Sequence, residues 1–199
     1  MTRQKRSSGI TAAELAAQLA DDEEFQAAAT ERDRELRARA TKWRDDEQPI
    51  VEELNLAGVQ VESIWDLVNT DEPYPAALPV LLDHLEKGGY SDRVMEGLGR
   101  ALAVKPAVSF WNRLKTAYLT AEGPEAREGV AVALAASATE AHLDDLIQLL
   151  SVEERGPSRI FFLRPIRELG GERGRMVLQP LTSDPTLGPE SASLLGRDP

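Results

Sequence analysis

The chain's two histidines, His84 and His142, and its adjacent carboxylates are the side chains that could carry chemistry. His84 stands beside Asp83 and Glu86, and His142 is flanked by Glu140, Asp144 and Asp145. Such sets suit a divalent metal or a proton relay. A shared metal site would need the two histidines to converge. They fall two units apart in the repeat described below, and stacked helix layers advance roughly 10 Å each, so both are read as surface histidines. Glu52-Glu53, Asp144-Asp145 and Glu153-Glu154 are paired acids. Acid–base work needs a dry pocket that shifts a pKa, and these pairs sit in polar stretches. No Ser–His–Asp order, nucleophile elbow, P-loop or dinucleotide fingerprint occurs. Gly88-Gly89 and Gly170-Gly171 read as inter-helix turns and not as phosphate cradles. With no cysteine, thiolate metal sites, disulfides and cysteine nucleophiles are excluded. No catalytic, cofactor-binding or metal-ligating residue is assigned, and no cofactor is expected.

The elements that would position these groups are helical. Hydrophobic residues make up 42% and charged residues 29% of 199 positions, enough apolar area for a packed core. Aromatics are only 5%, and an Ala- and Leu-rich apolar set favours close-packed helices over a β-sandwich. No run of eighteen apolar residues occurs, and the basic start MTRQKRSSGI precedes no apolar stretch of signal-peptide length. The expectation is a cytoplasmic protein with no membrane association. Net charge is −11. So acidic a body repels phosphate backbones, which argues against nucleic acid and for another protein, a basic one, as partner.

Residues 1–10 read as a disordered N-terminus. Residues 11–57 read as a charged helical arm or cap. It opens on a capping box at Thr11-Ala-Ala-Glu14 and on the carboxylate run Asp21–Glu24 at a second helix start. From about 22 to 57, Phe25, Ala29, Leu36, Ala40, Trp43 and Ile50 make a thin apolar stripe, and Asp33/Arg37 and Glu35/Arg39 are i,i+4 pairs. Pro49 should kink or restart this helix, breaking it near that point, and Gly58 should end it. The narrow stripe needs cover, from the rest of the chain or from a second subunit through self-association. A short helix over 61–69 and a turn at 70–75 follow.

Residues 58–199 read as a repeat domain, because apolar positions recur there at a fixed interval. Leu81, Leu114, Leu146 and Leu178 lie 33, 32 and 32 residues apart, and Leu98, Val130, Phe162 and Leu194 lie 32 apart each time. Leu85, Tyr118 and Leu150 keep the same register, as do Leu78, Trp111 and Leu143, and Leu102, Leu134 and Ile166. Polar or Gly/Pro turns fall at 88–91, 122–124, 154–158 and 183–189. Two amphipathic helices per period define an α-solenoid in sequence. The units are about 75–103, 108–137, 141–169 and 173–197, with 49–69 as a degenerate leading unit. The fold class expected is therefore all-α: an α-solenoid of about four to five helix pairs with a long charged N-terminal helix.

AALPVLLDHLEK…DRVMEGLGRAL at 76–102 resembles a HEAT-type repeat, with an apolar first helix, an Asp-bearing turn, and Arg leading a second helix that ends in Leu-Gly. The likeness is fair at 142–169 and weaker at 110–135 and 174–197. The run 50–197 also resembles bacterial HEAT-repeat proteins of unassigned function. This resemblance implies a curved scaffold and a binding surface, not a reaction. It implies that Arg93, Arg127 and Arg159, which lead second helices, tie neighbouring units together. It also implies that second helices line the concave face, where Glu96, Arg100, Glu128 and Arg167 are candidate partner contacts. Arg155, Arg159, Arg164 and Arg167 gather around Phe161 and Phe162, read as a core aromatic pair beneath an exposed basic side. Trp111 and Trp65 are read as packed, and Trp43 as the tryptophan most apt to meet a partner. The function expected is a non-enzymatic protein–protein interaction scaffold or adaptor, an immunity- or antitoxin-like protein being one concrete version. The alternative is a helical-repeat enzyme or enzyme accessory, chromophore-lyase-like or base-excision-like. The negative charge weighs against base excision.

Overall fold

The structure, a computed structural model, describes Thr11 and residues 22–196. The remainder of residues 1–10, the Thr11–Glu14 box and Asp21 lies outside the described residues. Among the described residues all regular structure is helical: nine α-helices and four 3-10 segments, with no strand. The chain divides into two compact units, Met1–Lys42 and Trp43–Pro199. The division falls earlier than the 57/58 boundary expected from sequence, because Ile50 and Leu54 are fully buried in the core of the second unit.

Helix α1 spans Glu23–Leu56, close to the expected 22–57. In the first unit it opens with the Phe25 N–H donating to Asp22 Oδ1 at 3.0 Å. Phe25 and Leu36 of the expected stripe are exposed. The i,i+4 pairs Asp33/Arg37 and Glu35/Arg39 do not close; Arg34 pairs with Glu31 at 3.0 Å instead. The expected break at Pro49 is absent, and the helix runs through it. Pro49 removes the donor that Asp45's carbonyl would use, but both residues are exposed, so solvent can serve the freed oxygen.

In the second unit, α2 (Ile64–Val68) is started by a capping box. Ser63 Oγ accepts from the Trp65 N–H at 3.2 Å, and Asp66 accepts from the Ser63 N–H at 3.0 Å. Glu47 of α1 accepts from Ser63 Oγ and the Ile64 N–H, which fixes α2 against α1. There follow α3 (Ala77–Lys87), α4 (Asp92–Ala101), α5 (Trp111–Thr120), α6 (Pro124–Ser137), α7 (Leu143–Leu150), α8 (Leu163–Leu178) and α9 (Gly188–Gly196). Gly88 and Gly89 turn α3 into α4 with φ of 62° and 85°, a left-handed region that L side chains rarely adopt. Gly171, at φ 51° and ψ −124°, interrupts α8, so the turn expected at 170–171 separates two helical stretches. The turn expected at 154–158 falls at Gly156, whose left-handed φ of 62° separates two 3-10 stretches within Glu153–Phe162.

The apolar columns form the core. Every residue of the five columns is buried except Leu143, which is half-buried. Contacts between elements step along the chain: α2 meets α4, α4 meets α6, α6 meets the 153–162 segment, that segment meets α8, and α8 meets α9. The α4–α6 contact is the most extensive of these. Its cause is glycine. A Cβ on Gly99 would lie 2.3 Å from the Gly129 carbonyl carbon, and one on Gly129 would lie 2.4 Å from the Glu96 oxygen, so the two helices touch backbone to backbone.

In an uncrowded helix interior, Gly→Ala stabilises by about 1 kcal/mol. Gly129→Ala is expected to do the reverse here, because its Cβ would strike main-chain atoms that cannot swing away. The expected loss is roughly 1–3 kcal/mol, read as a fall in urea midpoint with the denaturant slope unchanged. A rise in midpoint would mean that α4 and α6 do not touch at this point.

Candidate functional site

His84 is buried, not on the surface as the sequence suggested. Its Nδ1 lies 2.6 Å from Tyr90 Oη and its Nε2 2.9 Å from Glu53 Oε2. In a neutral ring one nitrogen donates and the other accepts. A carboxylate can only accept, so Nε2–H donates to Glu53 and Tyr90 donates to Nδ1. The chain Glu53–His84–Tyr90 thereby joins α1, α3 and the α3–α4 turn. Both ring nitrogens are occupied. The sequence signal was available, since His84 follows Leu81 by three positions and precedes Leu85 on the core face of α3.

His142 stands elsewhere. Its ring stacks on Trp111 at 4.1 Å between centroids, and its Nδ1 accepts from the Thr139 N–H at 3.2 Å. Trp111 is buried, as its column requires, and its Nε1–H donates to Asp145 at 2.7 Å. Lys115 reaches the other oxygen of Asp145 at 2.8 Å. The hydrogen bonds from Lys115 and Trp111 hold the Asp145 carboxyl below its ordinary value. Of the other acids, Asp144 pairs with Arg173, and Glu53 serves His84. Among the described residues no group of three or more His, Asp and Glu side chains is arranged to hold a metal ion, and no helix is long and apolar enough to cross a membrane.

The turn arginines reach main-chain carbonyls. Arg127 donates to Gly123 in its own unit and to Glu154 in the next, each at 3.2 Å. Arg159 donates to Gly156 and Leu150, both at 3.1 Å. Arg155 reaches back to Ala121 at 3.0 Å and Tyr118 at 3.4 Å. Arg93 differs: its guanidinium carbon lies over Trp65, 3.8 Å from the ring centroid, and it bonds Glu96 at 2.8 Å. Asp92 closes the α4–α6 junction, its two oxygens accepting from the Glu125 and Ala126 N–H groups and so capping α6. Sequence reasoning did not find this cap, because the acceptor lies 33 residues from its first donor.

Of the candidate partner contacts, Trp43 is 38% exposed on α1. Glu96 is buried and held from both sides, with Arg100 Nε 2.6 Å from its other oxygen. It is an internal ion-pair partner and not a free surface group, because α4 turns it toward its own two arginines. Arg100, Glu128 and Arg167 are half-buried, and the Arg167 Nε is enclosed without an acceptor among the described residues. The structure thus brings Glu96 and Arg100 together and leaves the other three apart. Phe162 is fully buried, edge-on to Tyr118 at 5.1 Å. Phe161, expected beside it in the core, is only half-buried.

Several concavities are open to a ligand among the described residues, and two of them are lined more by apolar than by polar surface. One, of about 640 Å³, lies between the α3–α4 turn and the α5–α6 connection. The other, of about 440 Å³, is a groove where Val132, Ala135 and Ala136 of α6 face Ile160, Phe161 and Pro165, with Arg164, Glu168 and Glu190 at its edges. Its origin lies in the repeat. Gly97, Gly129 and Phe161 stand at one register, 32 residues apart. Glycine admits the close approach of the preceding element at the first two, and the bulk of Phe161 forbids it at the third. The sequence signal was the apolar run Gly129–Ala136, which clothes α6 on more than one face.

No protein-family model, curated protein or solved structure matches this chain.

Asp145 links two units through Trp111 and Lys115, and its effect on stability has a definite sign. A carboxyl lowered in the folded state binds protons more readily when unfolded, so stability is complete above the unfolded value, about 4, and is lost as pH falls through the folded one. Asp145→Asn should therefore flatten the acid limb of a stability–pH curve measured by urea melts. An unchanged limb would mean that the Lys115 and Trp111 bonds do not form in solution.

Proposed function

We propose that the chain is a non-enzymatic protein-binding scaffold, a HEAT-like α-solenoid whose second helices carry the recognition surface. Three observations support the solenoid. The core is built from columns one period apart, contacts between elements pass from each unit to the next, and Arg127, Arg155 and Asp92 bond across unit junctions. A stack fastened in this way is preorganised, so binding costs little ordering entropy.

The observation that carries the function is the groove at Phe161. It crosses α6, the start of α8 and α9, the second helices of three successive units, and it leaves apolar side chains of α6 incompletely covered. An apolar strip framed by charged residues is the anatomy of a protein interface, with a dry centre and a polar rim. By contrast, the titratable side chains that could do chemistry are engaged with one another: His84 with Glu53 and Tyr90, Glu96 with two arginines, and Asp145 with Trp111 and Lys115. The surface charge fits a basic partner. The first 42 residues carry eight basic and eight acidic side chains, so the whole net charge of −11 resides in 43–199.

Ala136→Glu places a charge in the groove at a half-exposed position and should leave the fold intact. In affinity capture from native lysate, the full chain is expected to retain a protein at fixed stoichiometry, and Ala136→Glu to weaken it at least about tenfold, as expected for an interface centre. A captured protein indifferent to Ala136→Glu would remove the groove from the account. A co-purifying chromophore or nucleotide in place of a protein would overturn the scaffold reading.

A further inference from the structure

The second concavity differs in character from the groove. We propose that the cleft between the α3–α4 turn and the α5–α6 connection is a separate docking site for an extended protein segment carrying an arginine or lysine next to an apolar side chain. It shares the protein-binding reading but not the groove, and the two can fail independently.

The floor of the cleft is apolar, formed by Leu85, Met95, Ala117, Ala126 and Val130. At about 640 Å³ it falls within the roughly 300–1,000 Å³ of clefts that enclose a compact ligand. Charge sets what the ligand must be. Arg113, the one cation in the lining, is paired with two acids: its Nε lies 2.7 Å from Glu86 Oε1, and its Nη2 lies 2.6 Å from Glu86 Oε2 and 2.7 Å from Asp83. One guanidinium thus faces two carboxylates and leaves an excess negative charge beside the floor. These bonds raise the Arg113 pKa and lower that of Glu86, so both stay ionised near neutrality. Asp92 also lines the cleft, but its oxygens are directed to the N-terminus of α6. Glu122, exposed at the lip, forms no ion pair among the described residues.

An anionic ligand would meet Glu122 and the Asp83–Glu86 excess. A purely apolar ligand would cover Glu122 without giving it a partner, which disfavours binding. A basic side chain at Glu122 with an apolar neighbour on the Met95–Val130 floor satisfies both parts of the lining. Tyr90 forms one wall, and its hydroxyl is held by His84, which is in turn held by Glu53. That wall is positioned before any ligand arrives.

The test uses the full chain, labelled for NMR, titrated with the peptide acetyl-Leu-Arg-Ala-Leu-Arg-amide and with its analogue bearing Glu in place of Arg. Amide shifts for the basic peptide should cluster at Gly89, Tyr90, Ala121 and Gly123, weaken as salt rises, and be absent for the acidic analogue. Glu122→Lys should reduce affinity at least about tenfold, close to the penalty for opposing like charges at an interface. Ala136→Glu should leave it unchanged, which separates this site from the groove. Shifts that map elsewhere, equal binding of the two peptides, or no shift at millimolar peptide would each overturn the proposal. So would equal losses in Glu122→Lys and Ala136→Glu.

Discussion

The second unit depends on how closely successive second helices can approach. At Gly99 and Gly129 the backbones of α4 and α6 meet with no room for a methyl group. At Gly97 the neighbour is a side chain of α2: a Cβ there would lie 2.5 Å from Ile64 Cδ1. Such contact excludes water from the junction and lets the apolar columns on either side close into one core. Dispersion forces fall steeply with separation, so a few tenths of an ångström here are felt along the whole interface. The polar tie at the same junction, Asp92 onto α6, needs the geometry that this approach sets.

The same constraint accounts for the groove. Where the glycine register meets Phe161, the preceding helix cannot come as near, and Val132, Ala135 and Ala136 lose their cover. A single substitution in the repeat, read against the period, thereby turns a buried junction into an accessible apolar surface. Packing and groove are joined at that position: glycine closes one junction, and phenylalanine leaves a face unfilled at the next.

Much of this was legible in the sequence. The 32-residue columns identify core residues, since all but Leu143 among them are buried. The helical class followed from Ala and Leu, and most turns followed from Gly and Pro. What was not legible has physical reasons. The path of α1 through Pro49 depended on the exposure of Asp45, which no local pattern reveals. The core-face position of His84 is legible beside Leu81 and Leu85, but its partners, Glu53 and Tyr90, lie on other elements and are not. Glu96 was read as a free polar position, although Arg93 and Arg100 hold it at i−3 and i+4. The cap by Asp92 and the opening at Phe161 arise from contacts between units, which spacing can suggest but not place. The HEAT resemblance rested on one well-formed unit, 76–102, and the protein-binding reading therefore rests on the groove and the saturated polar groups rather than on kinship.

The account turns on α4 and α6 meeting backbone to backbone, and a nuclear Overhauser spectrum of the full chain measures that directly. A strong cross-peak between the Hα protons of Gly99 and Gly129, with none between the backbones of Ala136 and Phe161, is the result expected. Absence of the first cross-peak, or a second as strong as the first, would contradict it.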